Sequence, residues 1–206
     1  MLPEICTRDL DVTKFDIIED EDNHDYVYHL DKLATYDGNK MRSKRNLFNR
    51  FKRQYQADVQ ILDSTSPLVR EMLFTLFTQW AVNKNRPQEE IENELAAIDK
   101  AITTADSGNL LLIGLFVDGV LAGFVLNEIL PDEHCVLHFE KADERFEGIY
   151  AYLMAENAKI LSSFGKKYLN YEQDLGLPGL RLGKKSYRPN HYYKKYIVTP
   201  KEDREL

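Results

Sequence analysis

LLLIGLFVDGVLAGFVLNEIL, residues 110–130, decides the fold. It holds two long apolar runs split by Asp118-Gly119, a dipeptide suited to the tight turn of a hairpin. CVLHFEKAD (135–143) follows closely as a third strand, so the three form an antiparallel meander. GIYAYLMAENAKILSSF (148–164) then reads as an amphipathic helix closed by Gly165, and KYLNYEQD (167–174) as a fourth strand. The stretch from 135 to 174 is long enough for a parallel crossover. The fold class is therefore α/β (α+β): a mixed, mostly antiparallel central sheet flanked by helices on both faces. Antiparallel and parallel pairing meet between 135–143 and 167–174, where a splayed strand pair and a ligand site are expected.

The flanking sequence extends this pattern. ADVQILD (57–63) alternates as a short strand, and Ser64 to Pro67 offers the cap of a helix that runs through Trp80. Asn85–Pro87 interrupts it, and PQEEIENELAAIDKAI (87–102) is a second helix, acidic at its start. Residues 41–55 place Leu47, Phe48 and Phe51 on one helical stripe, and residues 25–36 do the same for Tyr26, Leu30 and Leu33 before Asp37-Gly38. Residues 1–23 read as irregular or as the end of a strand-rich element. A short helix is expected over 177–187 and a last strand over 191–200. The expected division is an extension, or the remnant of a preceding unit, over 1–23 and one domain over 24–206.

With 206 residues and 43% apolar side chains the chain affords an ordinary core, which excludes disorder throughout. No apolar run reaches the roughly 18 residues that span a bilayer, and the N-terminus lacks a basic flank followed by an apolar run. Two distant cysteines, Cys6 and Cys135, make neither a disulfide framework nor a zinc motif. A cytoplasmic protein is expected. The net charge of −7 hides an asymmetry. Residues 15–31 are acidic, whereas 38–57 hold no acid and contain Lys40, Arg42, Lys44, Arg45, Arg50, Lys52 and Arg53.

Three groups of residues carry candidate chemistry. His138, Glu140, Lys141 and Asp143 end the third strand, and Asn170, Glu172, Gln173 and Asp174 end the fourth. Strand alternation puts His138 and Glu140 on one face. GLRLGKKSYRP (179–189) offers the Arg181 fork and the charges of Lys184 and Lys185 to a phosphate or carboxylate, or else is a solvated basic helix. The aromatics within 40–55 are core, and its charges serve a tRNA backbone, an anionic headgroup or solubility. There is no G-x-S-x-G, P-loop or G-x-G-x-x-G, and the five histidines lack metal-ligand spacing, so no metal is expected. Trp80 is assigned to the core.

LHFEKAD (137–143) and YLNYEQDLGLPGLRLGKKSYRPNHYYKKY (168–196) resemble the C-terminal domain of phosphatidylglycerol lysyltransferases and the soluble bacterial proteins grouped with them. The pattern is carried by Gly179, Leu180, Arg181, Lys184, Tyr187 and Pro189, with Phe139 to Asp143, Glu172 to Gly176, and Lys44, Arg45, Asn46 and Phe51 upstream. The resemblance implies a GNAT-like acyltransferase fold, consistent with the strand order. It also implies transfer of an aminoacyl group from aminoacyl-tRNA to a small-molecule or lipid-headgroup acceptor, with no cofactor. A CoA-dependent N-acyltransferase and a non-catalytic module for anionic ligands are the alternatives. The stretch DERFEGIYA (143–151) has one glycine where acetyl-CoA enzymes carry a glycine-rich phosphate loop, so acyl-CoA is the less expected donor.

On this reading the catalytic residues are Glu172, Asp174, Tyr187, His138 and Glu140. Asp174 or Glu172 orients the donor's amino group or acts as base, and Tyr187 donates to the leaving 3′-hydroxyl. Asn170, Arg181, Lys184, Lys141, Lys44, Arg45 and Asn46 bind substrate, with Arg181 and Lys184 on the terminal phosphates. Segments 40–53 and 181–195 follow the tRNA backbone.

Overall fold

A computed structural model describes residues 1–103 and 109–201. The domain expected over 24–206 thus includes short stretches outside the described residues. In chain order the elements are β1 (Leu2–Pro3), α1 (Glu4–Thr7), β2 (Phe15–Glu19), β3 (Asp25–His29), α2 (Leu30–Thr35) and α3 (Arg42–Gln54). β4 (Ala57–Leu62), α4 (Pro67–Asn83), α5 (Gln88–Thr103), β5 (Leu110–Val117), β6 (Val120–Ile129) and β7 (His134–Ala142) follow. The chain continues with α6 (Ile149–Ser163), β8 (Tyr168–Asn170), α7 (Pro178–Ser186), β9 (His191–Tyr193) and β10 (Lys195–Pro200). It divides into a central unit, His29–Leu169, and a terminal unit built from Met1–Tyr28 and Asn170–Leu206.

The central unit carries strands in the order β4-β5-β6-β7-β8. β4 through β7 pair antiparallel, with Asp118-Gly119 at the β5–β6 turn as expected. The two faces of β6 are covered differently. Phe124 and Leu126 join Leu73, Phe77, Ile98 and Ile102 in a core beneath α4 and α5. On the opposite face Asn127 Nδ2 donates to Asn157 Oδ1 of α6 at 2.9 Å. A Cβ at Gly123 would lie 3.2 Å from Leu153 of the same helix. α4 starts as its sequence dictates: Pro67 sits in the first turn, and the Ser66 hydroxyl accepts from Val69 N.

Chain segments 15–19 and 195–200 meet in the terminal unit, where β1, β10 and β2 form an antiparallel sheet in that order. β3 pairs antiparallel with β9. Residues 1–23, read as irregular or strand-ending, thus include two strands. Residues 25–36, expected to be one helix, open with β3 before α2 begins. Tyr26, Val27 and Tyr28 are all buried, so both faces of this segment are covered and the helical stripe loses its meaning. The strand expected over 191–200 is broken, because β9 pairs with β3 and β10 with β2. The strand expected over 167–174 stops at Asn170: Glu172 and Leu175 each have φ near 55°, which no strand accommodates.

Candidate functional site

The strongest chemical cluster of the central unit lies at the end of β7. The β6–β7 register pairs Leu126 with Phe139 but Asn127 with Leu137, so His138 is an extra, bulged residue. Phe139 packs against the α4–α5 core. His138 turns toward the same face, where its Nε2 lies 3.1 Å from Glu128 Oε2. Glu140, opposite Val125, projects to the α6 face, and Lys141, opposite Phe124, to the α4 face. The expectation that His138 and Glu140 share a face is therefore corrected, because a single bulge inverts everything beyond it.

Glu140 influences two groups, one on α3 and one on α6. Burial pushes the Lys44 ammonium of α3 down to about 8, and the Glu140 charge pulls it partly back. Burial raises the phenol of Tyr150, in the first turn of α6, and Glu140 raises it further. Tyr150 Oη accepts from Trp80 Nε1 of α4 at 3.0 Å. Lys141 Nζ sits 4.2 Å from the centre of the Trp80 ring and 2.8 Å from Glu94 Oε1 of α5. Beside this cluster, at the start of β8, Lys167 N and Tyr168 N both donate to Glu133 O just ahead of β7.

Lys44 gives a direct prediction. An unperturbed lysine titrates near about 10.4. Between about pH 8 and that value the unfolded chain binds more protons than the native one, so stability rises with pH across this window. Titration of isotope-labelled lysines is expected to show one midpoint near 8, lost together with that rise in Lys44→Met. A protein whose lysines all titrate above 10 would refute the assignment.

Asp174 and Arg181 of the terminal unit face each other, but as an internal lock. The Asp174 carboxylate is 0% exposed. Its Oδ2 accepts from Tyr26 Oη and from Arg181 Nε at 2.8 Å; its Oδ1 accepts from Arg181 Nη2 at 2.8 Å and Gly176 N at 2.9 Å. Arg181 reaches Asp22 Oδ1 at 2.5 Å as well. The Arg181 bonds, with those of Tyr26 and Gly176, hold Asp174 far below the usual carboxylate range, so it stays ionised and is a poor base. Lys184 is also turned inward: its Nζ donates to Tyr171 O and lies 4.0 Å from the centre of that ring. Its own carbonyl accepts from Tyr28 Oη at 2.8 Å. Tyr187 is buried and edge-on to Tyr28. Asn170 accepts from Glu172 N at 2.8 Å and donates to Asp25, which also receives Lys195. Arg181 and Lys184, expected on terminal phosphates, thus contribute to a hydrogen-bonded frame around residues 170–176.

The basic helix α3 divides in the same way. Arg45 Nη1 donates to the Tyr36 carbonyl at 2.7 Å and closes the end of α2, where Tyr36 has φ 52°. Arg50 pairs with Glu147. Asn46, Lys40, Arg42, Lys52 and Arg53 are exposed. Sequence reasoning missed Tyr150, Glu94 and the role of Trp80. Their signal was faint: a polar-tipped aromatic in the first turn of the helix after β7, and a Trp with a nitrogen that needs an acceptor. Among the described residues no group of three His, Cys, Asp or Glu converges as a metal site would. No helix among them is long and apolar enough to cross a membrane.

A mostly antiparallel meander with helices on both faces, followed by a helix and a further strand, defines a mixed α/β class of fold. A sequence model of the family "Phosphatidylglycerol lysyltransferase, C-terminal" matches residues 4–199, and the chain belongs to that family. A conserved protein of unknown function from Bacteroides thetaiotaomicron has a similar structure, with TM-score 0.82 and 32% identity over 91% of this chain and 63% of that one. An uncharacterized protein of Mycoplasmoides gallisepticum is 26% identical over 187 residues, 90% of this chain and 59% of that protein. The structure of L-PGS from Bacillus licheniformis shares the fold, with TM-score 0.65 and 17% identity over 95% of this chain and 64% of that one. The chain thus spans about three fifths of the length of these relatives.

Proposed function

We propose that the central unit transfers an aminoacyl group from aminoacyl-tRNA to a small nucleophilic acceptor. The observation that carries this reading is the placement of Glu140 beside Lys44 at the end of β7, in a chain of this family. Glu140 accepts the proton of the acceptor's amine or hydroxyl as that atom attacks the ester carbonyl. The tetrahedral oxyanion forms against the Lys44 ammonium, which is charged at neutral pH. The bond to the ribose 3′-oxygen then breaks, and that oxygen takes the proton back from Glu140. The ester is already activated, so the balance closes without a cofactor. The exposed Lys40, Arg42, Lys52 and Arg53 on and beside α3 support RNA binding next to Lys44, and their contribution falls steeply with salt.

The test is transfer of labelled lysine from lysyl-tRNA to ethanolamine, hydroxylamine or phosphatidylglycerol vesicles, with acetyl-CoA as the competing donor. Glu140→Gln is expected to lose roughly 100-fold or more in rate with its melting temperature retained. Consumption of acetyl-CoA with tRNA left charged, or full activity in Glu140→Gln, would overturn the reading.

A further inference from the structure

A second feature of the central unit lies outside the β7 cluster. A groove of about 700 Å³ runs between α4 and the β5–β6 turn. Met72, Leu76, Leu121 and Phe146 line it. At its rim Leu68 and Val120 are 65% and 69% exposed, a large apolar commitment to solvent at one place. Its volume is that of a pocket for a drug-sized molecule.

The charges around the groove are uneven. Asp143 is neutralised within the wall: both its oxygens accept from Arg145, with Nε at 2.9 and 2.8 Å. The other two acids, Glu71 and Asp118, have neither an ion-pair nor a side-chain hydrogen-bond partner among the described residues. Arg145 is the only basic residue of the lining, and it is committed to Asp143. The apolar walls therefore carry an unbalanced negative charge, which attracts a cation and repels an anion of the same shape.

We propose that this groove is a binding site for an organic cation: a primary amine with an alkyl or aryl body, the body against Met72, Leu76 and Leu121 and the ammonium toward Glu71 and Asp118. The site stands apart from the transfer chemistry, so its failure leaves the Glu140 assay untouched. The probes are n-octylamine, octanoate and 1-octanol below their aggregation limits, followed by calorimetry and by amide chemical shifts of the full chain. Octylamine is expected to bind at least tenfold more tightly than octanoate, with shifts centred on α4 and the β5–β6 turn. Glu71→Gln with Asp118→Asn, both on the surface, is expected to abolish that preference while octanol binding is kept. Thr75→Trp, which fills the groove from an exposed position on α4, is expected to abolish all three. Equal binding of octanoate, no binding of octylamine, or full binding in Thr75→Trp each overturns the proposal.

Discussion

Asp174→Ala is expected to destabilise the protein by about 3–5 kcal/mol, because it strands the guanidinium and phenol built around a buried carboxylate. Three partners lose their acceptor at once: Arg181, Tyr26 Oη and Gly176 N. Arg181→Ala acts in the same direction, since it leaves Asp174, 0% exposed, without its counter-charge. The melting temperature of either variant is expected to fall by roughly 10 °C, as read by circular dichroism. The pH dependence follows from the depressed pKa of Asp174. A carboxylate held low in the native state contributes stability above its unfolded value, about 3.9, and loses it as pH falls toward the native one. Wild-type stability is therefore expected to drop below about pH 5 more steeply than that of Asp174→Ala. A melting temperature unchanged at neutral pH in both variants would sink the lock and leave Arg181 to the phosphate-binding role expected of it from sequence.

Gly148→Ala is the second large effect. Gly148 has φ +89°, and a Cβ there would lie 2.4 Å from the Leu47 carbonyl oxygen of α3 and 3.3 Å from Phe51 Cβ. The nearest obstacle is backbone, which cannot rotate aside. Strain and clash together cost about 2–4 kcal/mol. Gly165→Ala is the matched control: its φ is +76°, but no atom lies within 4 Å of the added methyl, so only strain of about 1 kcal/mol remains. The difference reaches the site, because α3 carries Lys44 and α6 carries Tyr150, the two groups Glu140 influences. Equal melting temperatures for the two variants would show that α3 and α6 do not meet at Gly148.

The meander, the helix after it and the helices before it were legible because their signals are local. Asp118-Gly119 needs no distant partner to make a turn, and Ser66-Pro67 caps α4 from within its own first turn. The candidate site was legible as residue types and not as roles. Glu140, Lys44 and Lys141 stood out in the sequence, but the bulge at His138 decides which face each serves. A bulge is a mismatch between two strands, and neither strand alone records it. Asp174 and Arg181 stood out for the same reason as any acid and fork near a turn, yet Tyr26, Asp22 and Gly176 complete their bonding from both ends of the chain.

By itself, then, the sequence determined the order of strands and helices from α3 to α6 and the basic character of α3, since periodicity, turn chemistry and composition act over a few residues. Only the tertiary structure decided that Asp174 is locked and Lys44 half-buried, because burial and counter-charge depend on groups remote along the chain, and these set whether an ionisable side chain is a brace or a reagent.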